Sequence, residues 1–137
     1  MSIMLDSSFL LAFFNEEDIN NKRAVLLMQK LREGSFGKTF ITDYIFDEFV
    51  TLAAKRARID LAIEWGQAIL NSQKIELLTT DNGEFQTAWS LFQQYKGLSF
   101  TDCAIVSVSR HFNIDNIASF DSDFDKIKKI NRISAVI

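Results

Sequence analysis

The stretch IMLDSSFLLAFF, residues 3 to 14, decides how this chain is read, because one carboxylate, Asp6, interrupts an otherwise apolar run. Burying an unpaired carboxylate is costly unless something offsets its charge. Ile3 to Leu5 is a short β-favouring run, and SSFLLAFF after Asp6 reads as a short helix. Asp6 therefore stands at a strand-to-helix junction. Taken alone it is explained as an N-cap, since aspartate is among the best residues for that position.

The same alternation continues along the chain. β-favouring runs recur at Thr39 to Ile41, Ile75 to Leu78, Ile117 to Phe120 and Ile133 to Val136. Helical spacing occupies about 17 to 33, 43 to 57, 60 to 71, 82 to 96 and 100 to 112. Strands separated by helices predict an α/β domain with a mainly parallel sheet of about five strands, covered by helices on both faces. In such a sheet ligands gather at the carboxyl ends of the strands.

Composition bounds the function classes. The 137 residues contain no proline and no low-complexity tract, and they read as a single domain over 1–137. Hydrophobic residues make up 47% and charged residues 24%, the balance of a soluble globular protein. No apolar run approaches the roughly 20 residues of a membrane span and no signal-peptide pattern opens the chain, so a cytoplasmic protein with no membrane partner is expected. One cysteine, Cys103, and one histidine, His111, argue against a disulfide or a soft-metal site. A net charge of −3 means that any polyanion must be met locally or through metal ions.

Three further acids invite the question raised by Asp6. In TDYIFDEFVTLAAKR, 42 to 56, Asp43 is a helix-start residue and Asp47 a solvated one, whereas Glu48 lies at the edge of the apolar arc. It reads either as a boundary glutamate that snorkels to water or as an acid aimed at the body of the protein. In LSFTDCAIVSVSRHF, 98 to 112, Ser99 and Asp102 have capping-box spacing, yet Asp102 precedes Ile105 and Val106 on the inward face. In IASFDSDFDKIKK, 117 to 129, Asp121 ends a strand, and Asp123 and Asp125 alternate after it. A polar turn explains them locally, but three acids in five residues repel unless cations neutralise them. A parallel sheet can bring Asp6, Glu48, Asp102 and Asp121 to one edge, where hard divalent cations would relieve the repulsion.

With those residues in view, the chain resembles the PIN-domain ribonucleases, most closely the small VapC-like toxins of type II toxin-antitoxin pairs. The matching elements are IMLDSSFLL with Asp6 and Ser8, DEFVTL with Glu48, LSFTDCAIV with Asp102, and ASFDSDFDKI with Asp121 and Asp123. The resemblance implies a three-layer α/β/α sandwich and an Mg²⁺- or Mn²⁺-dependent endoribonuclease. It implies catalytic and metal-ligating roles for Asp6, Glu48, Asp102 and Asp121, with Asp123 as a further ligand and Ser8 and Thr101 orienting carboxylates or water. It also implies an RNA substrate, an antitoxin partner and a homodimer. Products with a 5′-phosphate and a 3′-hydroxyl are expected.

Two basic clusters are candidates for phosphate contacts: Lys55, Arg56 and Arg58, and Lys126, Lys128, Lys129 and Arg132. A solvated helix end explains either equally well. Helical spacing assigns Phe9, Phe13, Phe46, Phe49, Phe92 and Phe112 to the core. The alternatives are a catalytically silent domain of the same fold used for binding, and a metal-dependent phosphatase or phosphoacceptor domain. The last usually has a close acid pair after the first strand, where this chain has Ser7 and Ser8.

Overall fold

The computed structural model describes residues 1–136. Elements run β1 (Ser2–Leu5), α1 (Ser7–Phe14), α2 (Asn21–Arg32), β2 (Lys38–Thr42), α3 (Asp43–Arg56) and α4 (Ile59–Asn71). They continue through β3 (Ile75–Leu78), α5 (Asn82–Gln94), α6 (Phe100–His111), β4 (Asn116–Ala118), a 3-10 turn (Ser122–Lys126) and β5 (Asn131–Ile133). The strands form one sheet in the order β3-β2-β1-β4-β5, and all four pairings are parallel. Helices cover both faces, giving a three-layer α/β/α sandwich.

The sheet grows outward from β1 in both directions, so the winding reverses between β1 and β4. Such a reversal opens a crevice beyond the carboxyl ends of the two strands. A phosphoacceptor receiver has the order 2-1-3-4-5, and the present order differs from it. Burial follows position. Ile3, Met4 and Leu5 on the central strand are fully enclosed, whereas the edge strand β3 exposes Glu76 and Leu77. Short α1 carries Phe9, Leu10, Leu11 and Ala12 in the core, the expected outcome for an apolar segment that follows a central strand.

Several element limits differ from the sequence reading for local reasons. The helix expected from 17 begins at Asn21, because Asn15 and Asp18 accept from the Glu17 and Asn20 amides and close Asx turns instead. β4 stops at Ala118 rather than Phe120, since the Phe120 amide donates to the Ser8 hydroxyl at 2.9 Å. β5 covers Asn131–Ile133 rather than 133 to 136, because it can pair only alongside the three residues of β4. Phe92 and Phe112 are not core residues. α5 packs on α6 through Glu84, Ala88 and Leu91, leaving Phe92 38% exposed beside Trp89, and Phe112 lies past the last turn of α6 at 47%.

One turn has no room for a side chain. Gly37, at φ +75, joins the α2 loop to β2, and a Cβ there would lie 1.9 Å from the Met1 carbonyl oxygen. Gly37→Ala should lower the denaturant midpoint by the equivalent of about 2 kcal/mol or more, from left-handed strain added to a backbone clash. An unchanged midpoint would show that the first strand shifts without cost.

Candidate metal centre

Asp6 leaves β1 and enters α1 with an extended backbone, and its carboxylate performs the capping role first read from the sequence. Oδ1 accepts from the Phe9 amide at 2.9 Å and from the Ser8 hydroxyl at 2.8 Å. Oδ2 accepts from the Ser119 hydroxyl, and that hydroxyl in turn accepts from the Asp121 amide at 2.9 Å. The loops after the two switch-point strands are thus tied together by side chains. Asp6 is 4% exposed. Burial pushes its carboxyl up to about 7, against the lowering effect of bonds from Ser119, the Phe9 amide and Ser8, and the charge of Asp102 adds to the rise.

Asp102 arrives from the first turn of α6. Ser99 caps this helix, its hydroxyl accepting from the Asp102 amide at 3.0 Å, while the Asp102 carboxylate accepts from the Ser99 amide at 3.4 Å. Its carboxyl is raised to about 6, by burial first, then by the charge of Asp121, and further by Glu48. Carboxylate oxygens of Asp102, Asp121 and Asp123 lie within 4.8 Å of one another. Glu48 sits half-buried on α3 and accepts from the Ser7 hydroxyl at the start of α1. Glu48 bonds Ser7 next to Asp6, Asp6 bonds Ser119 and through it the Asp121 amide, and Asp121 lies beside Asp102, so the four acids share one corner.

The acids differ in how they are compensated. Among the described residues, Asp6, Glu48, Asp102 and Asp121 form no ion pair with lysine or arginine. Asp123 meets Lys126 at 3.1 Å at the rim, and Asp125 is gripped by both nitrogens of the Arg132 fork at 2.9 and 3.0 Å. The crowding of three acids in one turn is therefore relieved by ion pairs for Asp123 and Asp125, while Asp121 has only the more distant charge of Arg132. A set of carboxylate oxygens outside any ion pair with lysine or arginine, two of them with carboxyls raised by burial and by neighbouring carboxylates, fits a hard divalent cation.

Of the supporting residues read from the sequence, Ser8 bonds Asp6, whereas Ser99 rather than Thr101 engages Asp102. Ser7 and Ser119 were not singled out, although both hold carboxylates. No local pattern distinguishes them, since their partners are 41 and 113 residues away. Lys55 and Arg56 are exposed in the last turn of α3, and Arg58 is held by Asp60 at 2.9 and 3.1 Å. Cys103, next to Asp102, is fully buried, and its thiol is pushed up by burial and by that charge, so it stays a thiol. A second donor group, Asp81, Glu84 and His111, is internally satisfied: Glu84 accepts from the Asp81 amide at 2.8 Å and meets His111 at 2.6 Å.

The geometry defines a class: an all-parallel α/β protein whose switch point is filled with carboxylates. The chain belongs to the PIN domain family, whose model matches residues 3–130. A VapC ribonuclease of Archaeoglobus fulgidus is 26% identical over 128 residues, 90% of this chain and 80% of that protein. Among solved structures, VapC20 of Mycobacterium tuberculosis, a toxin that cleaves the sarcin-ricin loop, superposes with a TM-score of 0.80 at 23% identity, covering 90% of this chain and 93% of that one. VapBC2 of Rickettsia felis, bound to a DNA fragment from its promoter, gives 0.73 at 14% identity, with 99% and 100% covered.

Proposed function

We propose that this chain is a metal-dependent endoribonuclease of the VapC type and the toxin of a toxin-antitoxin pair. In this reading Asp6, Glu48, Asp102 and Asp121, with Asp123 at the rim, hold Mg²⁺ or Mn²⁺. The observation that carries it is the corner of carboxylates at the β1/β4 switch point, where Asp102 and Asp121, outside any ion pair, lie within 4.8 Å of each other and of the rim acid Asp123. A cation bound there would lower the pKa of a water and steady the charge of a phosphodiester under in-line attack. The chain's own residues do the rest. Asp6 is fixed by three donors, Glu48 by Ser7, and Asp102 by its own helix cap, so the ligand geometry is set before substrate arrives.

An antitoxin protein is proposed as partner, on the likeness to toxin-antitoxin complexes from Rickettsia felis, Klebsiella pneumoniae and Salmonella typhimurium. A homodimer acting in the cytoplasm is part of the same reading. No helix among the described residues is long and apolar enough to cross a membrane.

The direct test is cleavage of a panel of labelled RNAs with Mg²⁺ or Mn²⁺, against EDTA and against Asp102→Asn. Cleavage that needs the metal and is lost in the variant is expected; equal cleavage by both proteins defeats the proposal. Ser119→Ala supplies a finer check, because it strips one donor from Asp6 and loosens the Asp121 loop. It should weaken Mn²⁺ affinity about 10- to 100-fold, the usual effect of removing a group that orients a ligand. Calorimetric titration reads this directly, and an unchanged affinity would mean that Asp6 is held well enough by Ser8 and the Phe9 amide.

A further inference from the structure

At the far end of α6 from the carboxylates the surface changes sign. Arg110 from its last turn, Asn113 and Asp115 from the loop into β4, and Lys128 and Lys129 from the loop into β5 line one recess of about 410 Å³. Three cations face one acid there, in a chain of net charge −3. None of the three forms an ion pair among the described residues, whereas Arg58, Lys126 and Arg132 each do. The helix dipole favours a cation at Arg110, but Lys128 and Lys129 lie outside any helix and gain nothing from it.

The backbone points to the same place. Asn113 at φ +56 and Lys129 at φ +67 are the non-glycine residues with left-handed backbone among those described, and both line this recess. Asparagine tolerates that conformation after a helix; lysine has no side-chain bond to offset it. A long cation is thus kept where glycine would fit more easily, beside two others that repel it.

We propose that this recess holds the phosphate backbone of RNA at a point remote from the cleavage position. Naming the polyanion as RNA rests on the nuclease reading above. Arg110 lies eight residues beyond Asp102 on the same helix, which is about 12 Å along its axis at 1.5 Å per residue. A stacked strand advances about 3.4 Å per nucleotide. Asp102 to Ser109 are buried, so RNA must pass around the helix by a path longer than this, and the recess meets a phosphate at least four nucleotides from the one at the acids. A trinucleotide falls short of it, and a hairpin stem spans both.

The test is fluorescence anisotropy of a labelled RNA hairpin and a labelled RNA trinucleotide in EDTA, over a salt series. Wild type is compared with the triple variant Arg110→Ala, Lys128→Ala, Lys129→Gly and with Asp102→Asn. All three substituted positions are exposed, and glycine adopts a positive φ freely, so the triple variant should melt no lower than wild type. Loss of three phosphate contacts should weaken hairpin binding at least tenfold near 0.1 M salt and make the slope of log K against log salt shallower by about 2. The trinucleotide, with few phosphates to offer the recess and no metal at the acids, should bind wild type far more weakly than the hairpin does. Asp102→Asn should keep the wild-type slope; if, in a parallel assay with Mn²⁺, it also keeps cleavage, the nuclease reading falls while the recess result stands. The proposal is overturned by a triple variant with wild-type affinity and slope, or by a wild type that shows no salt-dependent hairpin binding. It is also overturned if polyglutamate of matched charge displaces the hairpin as well as unlabelled hairpin does, since the recess would then read charge rather than phosphate.

Discussion

Asp6→Asn is expected to remove RNA cleavage by about 10²- to 10³-fold or more and, in the same protein without metal, to make unfolding harder. The two effects share one cause. Asp6 is almost fully enclosed, next to Asp102, and its carboxyl is raised from 3.8 to about 7. Holding it ionised at pH 8 costs the metal-free fold on the order of 4 kcal/mol, at about 1.4 kcal/mol per pH unit of displacement. Asparagine removes that charge and keeps the cap, because its oxygen can still accept from the Phe9 amide and Ser8, and its amide can donate to the Ser119 hydroxyl. A gain of about 2–4 kcal/mol at pH 8 is therefore expected from urea unfolding in EDTA. A variant both inactive and less stable would assign Asp6 an ordinary structural role and remove the electrostatic argument for a cation.

The second large effect is a pH dependence that metal reverses. Between pH 3.8 and about 7 the folded chain holds protons on Asp6, and to about 6 on Asp102, that the unfolded chain has released. Where the folded state binds more protons, stability falls as pH rises. The contribution of these two groups is complete below pH 3.8 and is lost as pH climbs through about 6 and then about 7. In EDTA the urea midpoint should decline from pH 5 to pH 8. Saturating Mn²⁺ should flatten or invert that decline, because the ligands must be deprotonated to bind and occupancy rises with pH. Asp6→Asn should show a shallower decline without metal and a smaller rise with it. A midpoint that climbs between pH 5 and pH 8 in EDTA would contradict the burial of these two acids.

Much of the fold was legible because its signals are local. The alternation of short β-favouring runs and helical spacing gave five strands and the order of elements, and Asp6 after β1 marked a helix start as well as an acid. The limits that were misjudged are those where side chains compete with backbone pairing, as at Asp18 and Ser8, or where a neighbour sets the length, as in β5. Phe92 was misplaced because helical spacing identifies an apolar stripe but not which of two stripes is covered. Glu84, Ala88 and Leu91 won the inward face of α5, and Phe85, Trp89 and Phe92 were left outside.

The site was legible by type, and its gathering at one sheet edge followed from the parallel α/β reading rather than from any local signal. The acids were named one by one from their positions at strand ends and first turns, but their proximity depends on a winding reversal that no local pattern encodes. Ser119 illustrates the difference: in sequence it is a small polar residue after a strand, and in space it joins Asp6 to the amide of Asp121.

The sequence by itself determined the strand and helix alternation, the helix caps and the inventory of hard oxygen donors, because these depend on neighbours a few residues apart. Tertiary structure alone decided that β1 lies beside β4, which carboxylates stay free of lysine and arginine, and that Arg110 meets Lys128 and Lys129. Charge interactions act through space, so their balance is fixed only when distant segments have packed.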